Sequence, residues 1–219
     1  MARKRRLLGS VSAPARRNQP GRLRRSVVVP KRRAKARPQR SAHRSQEPLP
    51  ELRIGHGWDL HRLEPVAPVG AGRPMIIGGV RIGEGEGKGP VAHSDGDVLL
   101  HAVTDAVLGA LALPDIGQMF PDRSPRNEGR ASAEFLTAAV AKATRAGYSV
   151  VNVDCTVVCE RPKIGPVKDQ IRRNLAALLA VPVSCVNVKG KTHEGIGPVG
   201  EGRAIEAHAV VLLTRRKRR

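Results

Sequence analysis

The sequence predicts an α+β domain, a mixed sheet with a layer of helices on one face. Three observations point there. Val151, Val153, Cys155, Val157 and Cys159 alternate with other residues, and Ile205, Ala207, Ala209, Val211 and Leu213 do the same, the period-two signature of strands. Between such runs lie stretches with apolar residues at helical spacing. Strand-like and helix-like segments are interleaved along the chain, which favours an α+β or α/β sandwich with one helical layer.

Taken in order, Leu52–Leu60 is short and partly alternating and reads as a first strand. Residues 74–82, with the Ile76-Ile77-Gly78-Gly79 turn signal, read as a hairpin arm or strand. Residues 83–90 carry four glycines in eight residues and read as a flexible surface loop. Ser94 or Asp95 is placed to cap a helix running to about Leu113, with Val98, Leu99, Ala102, Val103, Ala106 and Leu108 apolar. Pro114 stops it. Residues 115–129 form a polar loop. Residues 132–146 form a second amphipathic helix, with Gly147 as its C-cap. Residues 167–180 form a third helix with Ile171, Leu175 and Leu178 on one face. Residues 185–190 are a strand, 195–202 a second glycine-rich loop, and 203–213 the closing strand.

The net charge of +20 is concentrated at the ends. Residues 1–50 hold 16 Lys and Arg against one acid, Glu47, and residues 215–219 are five bases. Residues 51–214 carry 18 bases and 18 acids, so the folded part is neutral. A general electrostatic footprint for nucleic acid is therefore missing from the core, and one Trp, one Tyr and two Phe leave little to stack on bases. Residues 1–50 are too poor in apolar side chains to offset the entropy of ordering. Their Arg- and Ser-rich, acid-poor composition is that of a transit peptide, and the bland alternative is a disordered basic tail. Residues 215–219 read as a solvated basic tail. The longest apolar run of the leader, Val27–Val29, is too short for a secretory signal, and no stretch is long enough to span a membrane. Cys155, Cys159 and Cys185 have no CxxC spacing and read as buried thiols in a reducing compartment.

The chemistry starts with Asp59 and His61. On a strand, residues two apart face the same way, so a carboxylate and an imidazole share one face. His101 lies on an otherwise apolar helix face. Alone it reads as a core histidine; with the strand pair it completes a three-ligand set of N and O donors, which leaves one position open on a tetrahedral ion, the arrangement of catalytic zinc. Asp105, one turn on, is either a support for the imidazole or an exposed polar residue. His93 and Ser94 follow the glycine loop at a helix start, where free N–H groups suit a phosphate. Thr192, His193 and Glu194 stand between a strand end and a glycine loop, and Glu194 suits a hard cation such as Mg²⁺.

Residues 53–61 (Arg-Ile-Gly-His-Gly-Trp-Asp-Leu-His), 76–80 (Ile-Ile-Gly-Gly-Val), 92–98 (Ala-His-Ser-Asp-Gly-Asp-Val), 113–117 (Leu-Pro-Asp-Ile-Gly) and 120–122 (Phe-Pro-Asp) together resemble the 2-C-methyl-D-erythritol 2,4-cyclodiphosphate synthases of the non-mevalonate isoprenoid pathway. The likeness runs from about Arg53 to Leu213. It implies a homotrimer with active sites between subunits. It also implies conversion of 4-diphosphocytidyl-2-C-methyl-D-erythritol 2-phosphate to the cyclic diphosphate with release of CMP. By the same resemblance Asp59, His61 and His101 bind Zn²⁺, and His93 and Thr192 position the phosphates. Glu194 holds Mg²⁺ or Mn²⁺, while Ser94, Asp115, Gly117 and Asp122 meet the substrate. Pro162 and Lys163, in the turn of residues 161–164, border the cytosine, and Arg203 meets a phosphate. The chain departs from common bacterial members at residues 190–194 (Gly-Lys-Thr-His-Glu) and 197–203, and at Ser124, where a second acid is usual. The Lys-Thr-His-Glu form resembles plant and algal members, which agrees with a plastid. The rival readings are an inactive relative that only binds, and a nucleic-acid binder built on the basic ends.

Overall fold

A computed structural model describes residues 51–83 and 87–216. The leader of residues 1–50, most of the 83–90 loop's middle (84–86) and residues 217–219 lie outside the described residues. Among the described residues seven strands form: β1 (Leu52–Pro65), β2 (Ile76–Ile77), β3 (Val80–Arg81), β4 (Lys88–Pro90), β5 (Tyr148–Val158), β6 (Val186–Lys191) and β7 (Ala204–Arg215). The α-helices among the same residues are α1 (Val98–Ala110), α2 (Ile116–Met119), α3 (Ser132–Arg145), α4 (Lys168–Leu179) and α5 (Gly197–Gly200). The main sheet has the order β4-β1-β7-β5-β6, antiparallel except for the parallel pair β5 and β6, which needs the crossover through α4. This is the mixed α+β sheet expected.

Alternation sets which face is covered. On β7, Ile205, Ala207, Ala209, Val211 and Leu213 are all buried, while Val210 between them is exposed. Burial of side chains such as Leu99, Leu100 and Leu108 on α1 contributes about 1.5–3 kcal/mol each. The opposite face of β1 stays open, with Ile54 at 72%, Trp58 at 50% and Leu60 at 41% exposure. A one-sided antiparallel sheet normally carries polar residues on its solvated face; here large apolar side chains stand among the polar His56, Arg62, Glu206 and His208.

Several boundaries differ from the sequence expectation. The first strand continues past Leu60 to Pro65, because β7 pairs with it as far as Arg62 and β4 pairs with Leu63–Pro65. Residues 88–90, expected in a loop where nothing packs, therefore form an edge strand, and Gly89 lies where a Cβ would stand 1.7 Å from the Arg73 carbonyl oxygen. Val151 breaks the expected alternation: a bulge between Val150 and Asn152 turns it out to solvent and puts Val150 against the core. Cys185 belongs to a short 3₁₀ turn ahead of β6. The 115–129 loop contains the helical turn α2 and a 3₁₀ turn at Pro125–Asn127, and the 195–202 loop contains α5. Arg215 is part of β7 rather than a free tail. Its guanidinium binds Glu51 Oε2 at 2.5 Å, in a cluster where Tyr148 and Arg53 also hold Glu51.

One contact positions everything that follows. The inward face of β1 reads Gly55, Gly57, Asp59, His61, Leu63. A Cβ on Gly55 would stand 1.8 Å from the Ala106 carbonyl oxygen, and one on Gly57 would stand 1.9 Å from that of Ala102. Helix α1, with Ala102, Ala106 and Ala110 along its underside, thus lies on the bare strand backbone. Only glycine permits this approach.

Candidate metal centre

Because α1 rests on Gly55 and Gly57, its first turn ends beside the next two inward residues of the strand. His101 Nδ1 lies 2.9 Å from Asp59 Oδ2 and 3.2 Å from His61 Nε2, and His61 Nε2 is 3.1 Å from Asp59 Oδ2. Among the described residues this is the one His/Cys/Asp/Glu group whose ligand atoms converge so closely. Two ligands 2.0–2.1 Å from an ion are separated by about 3.3 Å at tetrahedral angles and about 2.9 Å at octahedral ones. The three spacings fall in that range, so the residues fit a divalent ion with two nitrogen donors and one oxygen.

Charge agrees with this. Burial alone would raise the Asp59 carboxyl, but hydrogen bonds from His101 and His61 outweigh it and hold the group well below the usual carboxylate range. Asp59 is thus an anion at any physiological pH. Burial pushes the His101 imidazole down, while the hydrogen bond and the charge of Asp59 push it further up, so its net shift is upward.

The triad opens into a cavity of about 400 Å³ lined also by His93, Ser94, Gly117, Phe120, Asp122 and Phe135. Phe120 and Phe135 stack at 4.5 Å between ring centres and form an apolar wall, with the Arg130 guanidinium over both rings. His93 Nε2 donates to the Ser124 carbonyl at 3.0 Å, which fixes its proton there. The turn carrying His93 is held by Arg73, whose guanidinium donates to the carbonyls of Ala92 and His93 at 2.8 and 3.0 Å. Nothing in local sequence marks Arg73 for that task, since it lies 19 residues away in a Gly/Pro-rich turn.

The helix start differs from the expected one. Asp97, fully buried, caps α1 by accepting from Leu99 and Leu100 N–H, and it also accepts from Gly78 and Gly79 N–H. Ser94 and Asp95 precede the cap. Since Asp97 occupies the free N–H groups, the amino end of α1 offers no phosphate cradle. Burial raises the Asp97 carboxyl to about 6. Asp105 does not reach His101: its Oδ1 accepts the Ile116 N–H at 2.7 Å, tying α1 to α2. Asp115 likewise caps α2 through Gln118 and does not line the cavity.

The remaining residues gather elsewhere. Pro162, Lys163, Thr192 and Glu194 line a second cavity of about 480 Å³ with Cys159, Gly165, Lys168 and Lys191, and the two cavities share no residue. Thr192 Oγ1 donates to Glu194 Oε1, and Glu194 takes a left-handed backbone with φ of 52°. The loop is held by Glu160, whose carboxylate accepts the His193 N–H at 2.9 Å, a support that sequence reading missed. Arg203 lines neither cavity; its guanidinium is bound to Glu201 at 2.5–2.7 Å.

Fold and site define an α+β metal-binding domain with an open-sided Asp-His-His centre. The chain belongs to the YgbB family, whose sequence model matches residues 52–214. It is 52% identical over 174 residues to the chloroplastic 2-C-methyl-D-erythritol 2,4-cyclodiphosphate synthase of Arabidopsis thaliana, covering 78% of this chain and 72% of that one. It is 47% identical over 165 residues to the synthase of Burkholderia thailandensis, covering 75% and 97%. Among solved structures, IspF of Plasmodium falciparum in its CDP complex matches with a TM-score of 0.65 and 36% identity, covering 76% of this chain and 97% of that one.

Proposed function

We propose that this chain converts 4-diphosphocytidyl-2-C-methyl-D-erythritol 2-phosphate to 2-C-methyl-D-erythritol 2,4-cyclodiphosphate and CMP. The observation that carries it is the convergent Asp59-His61-His101 set at the mouth of a cavity, in a chain about half identical to synthases of that name. Asp59 Oδ2, His61 Nε2 and His101 Nδ1 would hold a divalent ion, Zn²⁺ by the N₂O donor set, which would supply Lewis-acid charge to a diphosphate. The 2-phosphate is already tethered to the phosphorus it attacks, so the protein has mainly to fold the substrate and neutralise charge. His93 and Ser94 flank the diphosphate on the metal side, and Gly117 and Asp122 border the methylerythritol portion. Pro162 and Lys163 take the cytosine in the second cavity. Thr192 meets the phosphates there, and Glu194 would offer a carboxylate to Mg²⁺ or Mn²⁺, which would neutralise phosphate charge.

Two separate half-sites in one chain support an interfacial active site. The open sheet face supports self-association: Ile54, Trp58, Leu60 and Val210, with exposures of 41–72%, form an apolar strip on β1 and β7. A homotrimer covers that strip and sets the metal half of one copy against the Thr192–Glu194 half of the next. Residues 1–50 serve as a transit peptide and the site of action is a plastid, a reading that chloroplastic relatives support. Residues 51–214 form the catalytic domain.

Subunit mixing tests this reading. His101→Ala and Glu194→Ala proteins should each fail to release CMP. Denatured and refolded together in equal amounts, they should regain about a quarter of wild-type turnover, the fraction of interfaces that pair two intact halves in a closed ring. No recovery from a properly assembled mixture places both halves within one subunit's site and contradicts the arrangement.

A further inference from the structure

The three ligand atoms explain only one edge of the His101 ring. The other nitrogen, Nε2, points away from the cavity's ligand set and meets the first residue of α3. Ser132 Oγ lies 2.8 Å from His101 Nε2, and Ser132 is fully buried. The Ser132 hydroxyl also makes a very short contact with Asp95 Oδ1, and the Ser132 N–H donates to Asp95 Oδ2 at 3.0 Å. Ser94 Oγ is the other neighbour of Nε2, at 3.1 Å, and it accepts the Gly96 N–H.

Proton counting orders this chain. An ionised carboxylate only accepts, so the single Ser132 hydroxyl proton goes to Asp95. The Ser132 oxygen then has only lone pairs left for Nε2, and Nε2 must carry the hydrogen. Without a metal Nδ1 carries the second proton and donates it to Asp59 Oδ2; a bound cation would replace that proton and take the Nδ1 lone pair. A ligating imidazole whose other N–H is bound by an oriented acceptor is fixed in tautomer and in aim.

We propose that Ser132 and Asp95 are positioning residues for the metal centre, a His101–Ser132–Asp95 relay that makes Nδ1 of His101 the ligand nitrogen. The proposal rests on the reading of Asp59, His61 and His101 as metal ligands. It also gives Asp95 a task distinct from a helix cap and a use for the amino end of α3, which has no side-chain cap of its own. The relay joins residues 31 and 37 positions apart, so the α1 and α3 helices are locked in relative position by the same bonds that aim the ligand.

The test reads metal affinity and ring protonation with no substrate present, so its failure is separable from failure of the proposed reaction. Ser132→Ala keeps the backbone N–H to Asp95 and removes only the hydroxyl. Zinc affinity of the purified full chain, measured by competition with a chromogenic chelator, should fall about 10–100-fold in Ser132→Ala and in Asp95→Ala. Ser132→Thr, which restores a hydroxyl, should recover most of the loss. In the zinc-loaded wild type, long-range ¹H–¹⁵N correlation should show a slowly exchanging Nε2 proton on His101, and Ser132→Ala should lose it. Ser94→Ala should leave zinc affinity within about twofold. Unchanged zinc affinity and an unchanged Nε2 proton in a folded Ser132→Ala protein overturn the relay. So does a loss confined to Ser94→Ala, which would give the role to the other hydroxyl. Should Ser132→Ala unfold, the Nε2 proton of the wild type still decides: a zinc-bound His101 protonated on Nδ1 refutes the proposal outright.

Discussion

Gly57→Ala should separate the helix from the strand and with it the metal ligands from one another. The added methyl would stand 1.9 Å from the Ala102 carbonyl oxygen and 2.7 Å from the Ala106 nitrogen. Both are backbone atoms, so no rotamer relieves the clash. Reaching ordinary contact near 3.4 Å requires a shift of about 1.5 Å in a tightly packed layer. His101 precedes Ala102 on the moving helix, while Asp59 and His61 stay on the strand. Metal sites tolerate ligand displacements of only about 0.2 Å, so zinc affinity should fall by at least about 100-fold. Overpacking of this kind costs on the order of 1–3 kcal/mol, more where backbone meets backbone. Urea denaturation and chelator competition on the same sample read both effects. Gly109→Ala is the control: its methyl would meet nothing nearer than the His56 carbonyl oxygen at 3.7 Å, and helix propensity favours alanine by up to about 1 kcal/mol. A Gly57→Ala protein with wild-type denaturation midpoint and zinc affinity would refute the idea that bare strand backbone sets the site.

Other outcomes follow from the same geometry. His101→Ala should lose bound zinc and turnover together; full zinc occupancy in that variant would return His101 to the status of a core residue. Glu51 has its carboxyl lowered from 4.5 to about 2 by hydrogen bonds from Tyr148, Arg215 and Arg53. An acid with a lowered folded pKa adds stability above its unfolded pKa and loses it as pH falls, so that contribution should disappear between pH 4.5 and about 2. Glu51→Gln should flatten the stability profile across that window, and an unchanged slope would show that the cluster is not felt in solution. Burial pushes the thiols of Cys155 and Cys159 up to about 12 and about 11. Iodoacetamide at pH 8 should therefore modify Cys185, which is partly exposed, well before either of them. Peptide mass mapping checks the order.

The sequence makes the strand face of the site legible because period two needs no tertiary knowledge. Asp59 and His61 must share a face, and the Gly55-Gly57 pair precedes them on it. His101 is legible only as an anomaly on an apolar helix, and its meaning depends on an approach that glycine permits but does not announce. What stays hidden is long-range. Arg73 reaches the His93 turn across 20 residues, and Ser132 reaches His101 across 31. Both look like ordinary polar residues until the fold brings them round. Asp105 misleads for the converse reason: its spacing from His101 is right for a helix neighbour, but α2 packs close enough to take its carboxylate. The cap of α1 misleads too, because Ser94, Asp95 and Asp97 are all competent caps and only the Gly78-Gly79 turn, with its own two N–H groups, selects Asp97. Val151 falls out of phase through a bulge, which leaves no trace in hydrophobic alternation.

Turnover itself gives the most direct test. Purified protein lacking residues 1–50, supplied with Zn²⁺ and Mg²⁺, is incubated with 4-diphosphocytidyl-2-C-methyl-D-erythritol 2-phosphate and followed by phosphorus NMR. The account predicts loss of the substrate's diphosphate and monophosphate signals, with cyclic diphosphate and CMP appearing in equal amounts. Binding of the substrate with zinc in place, but without release of CMP, would contradict it.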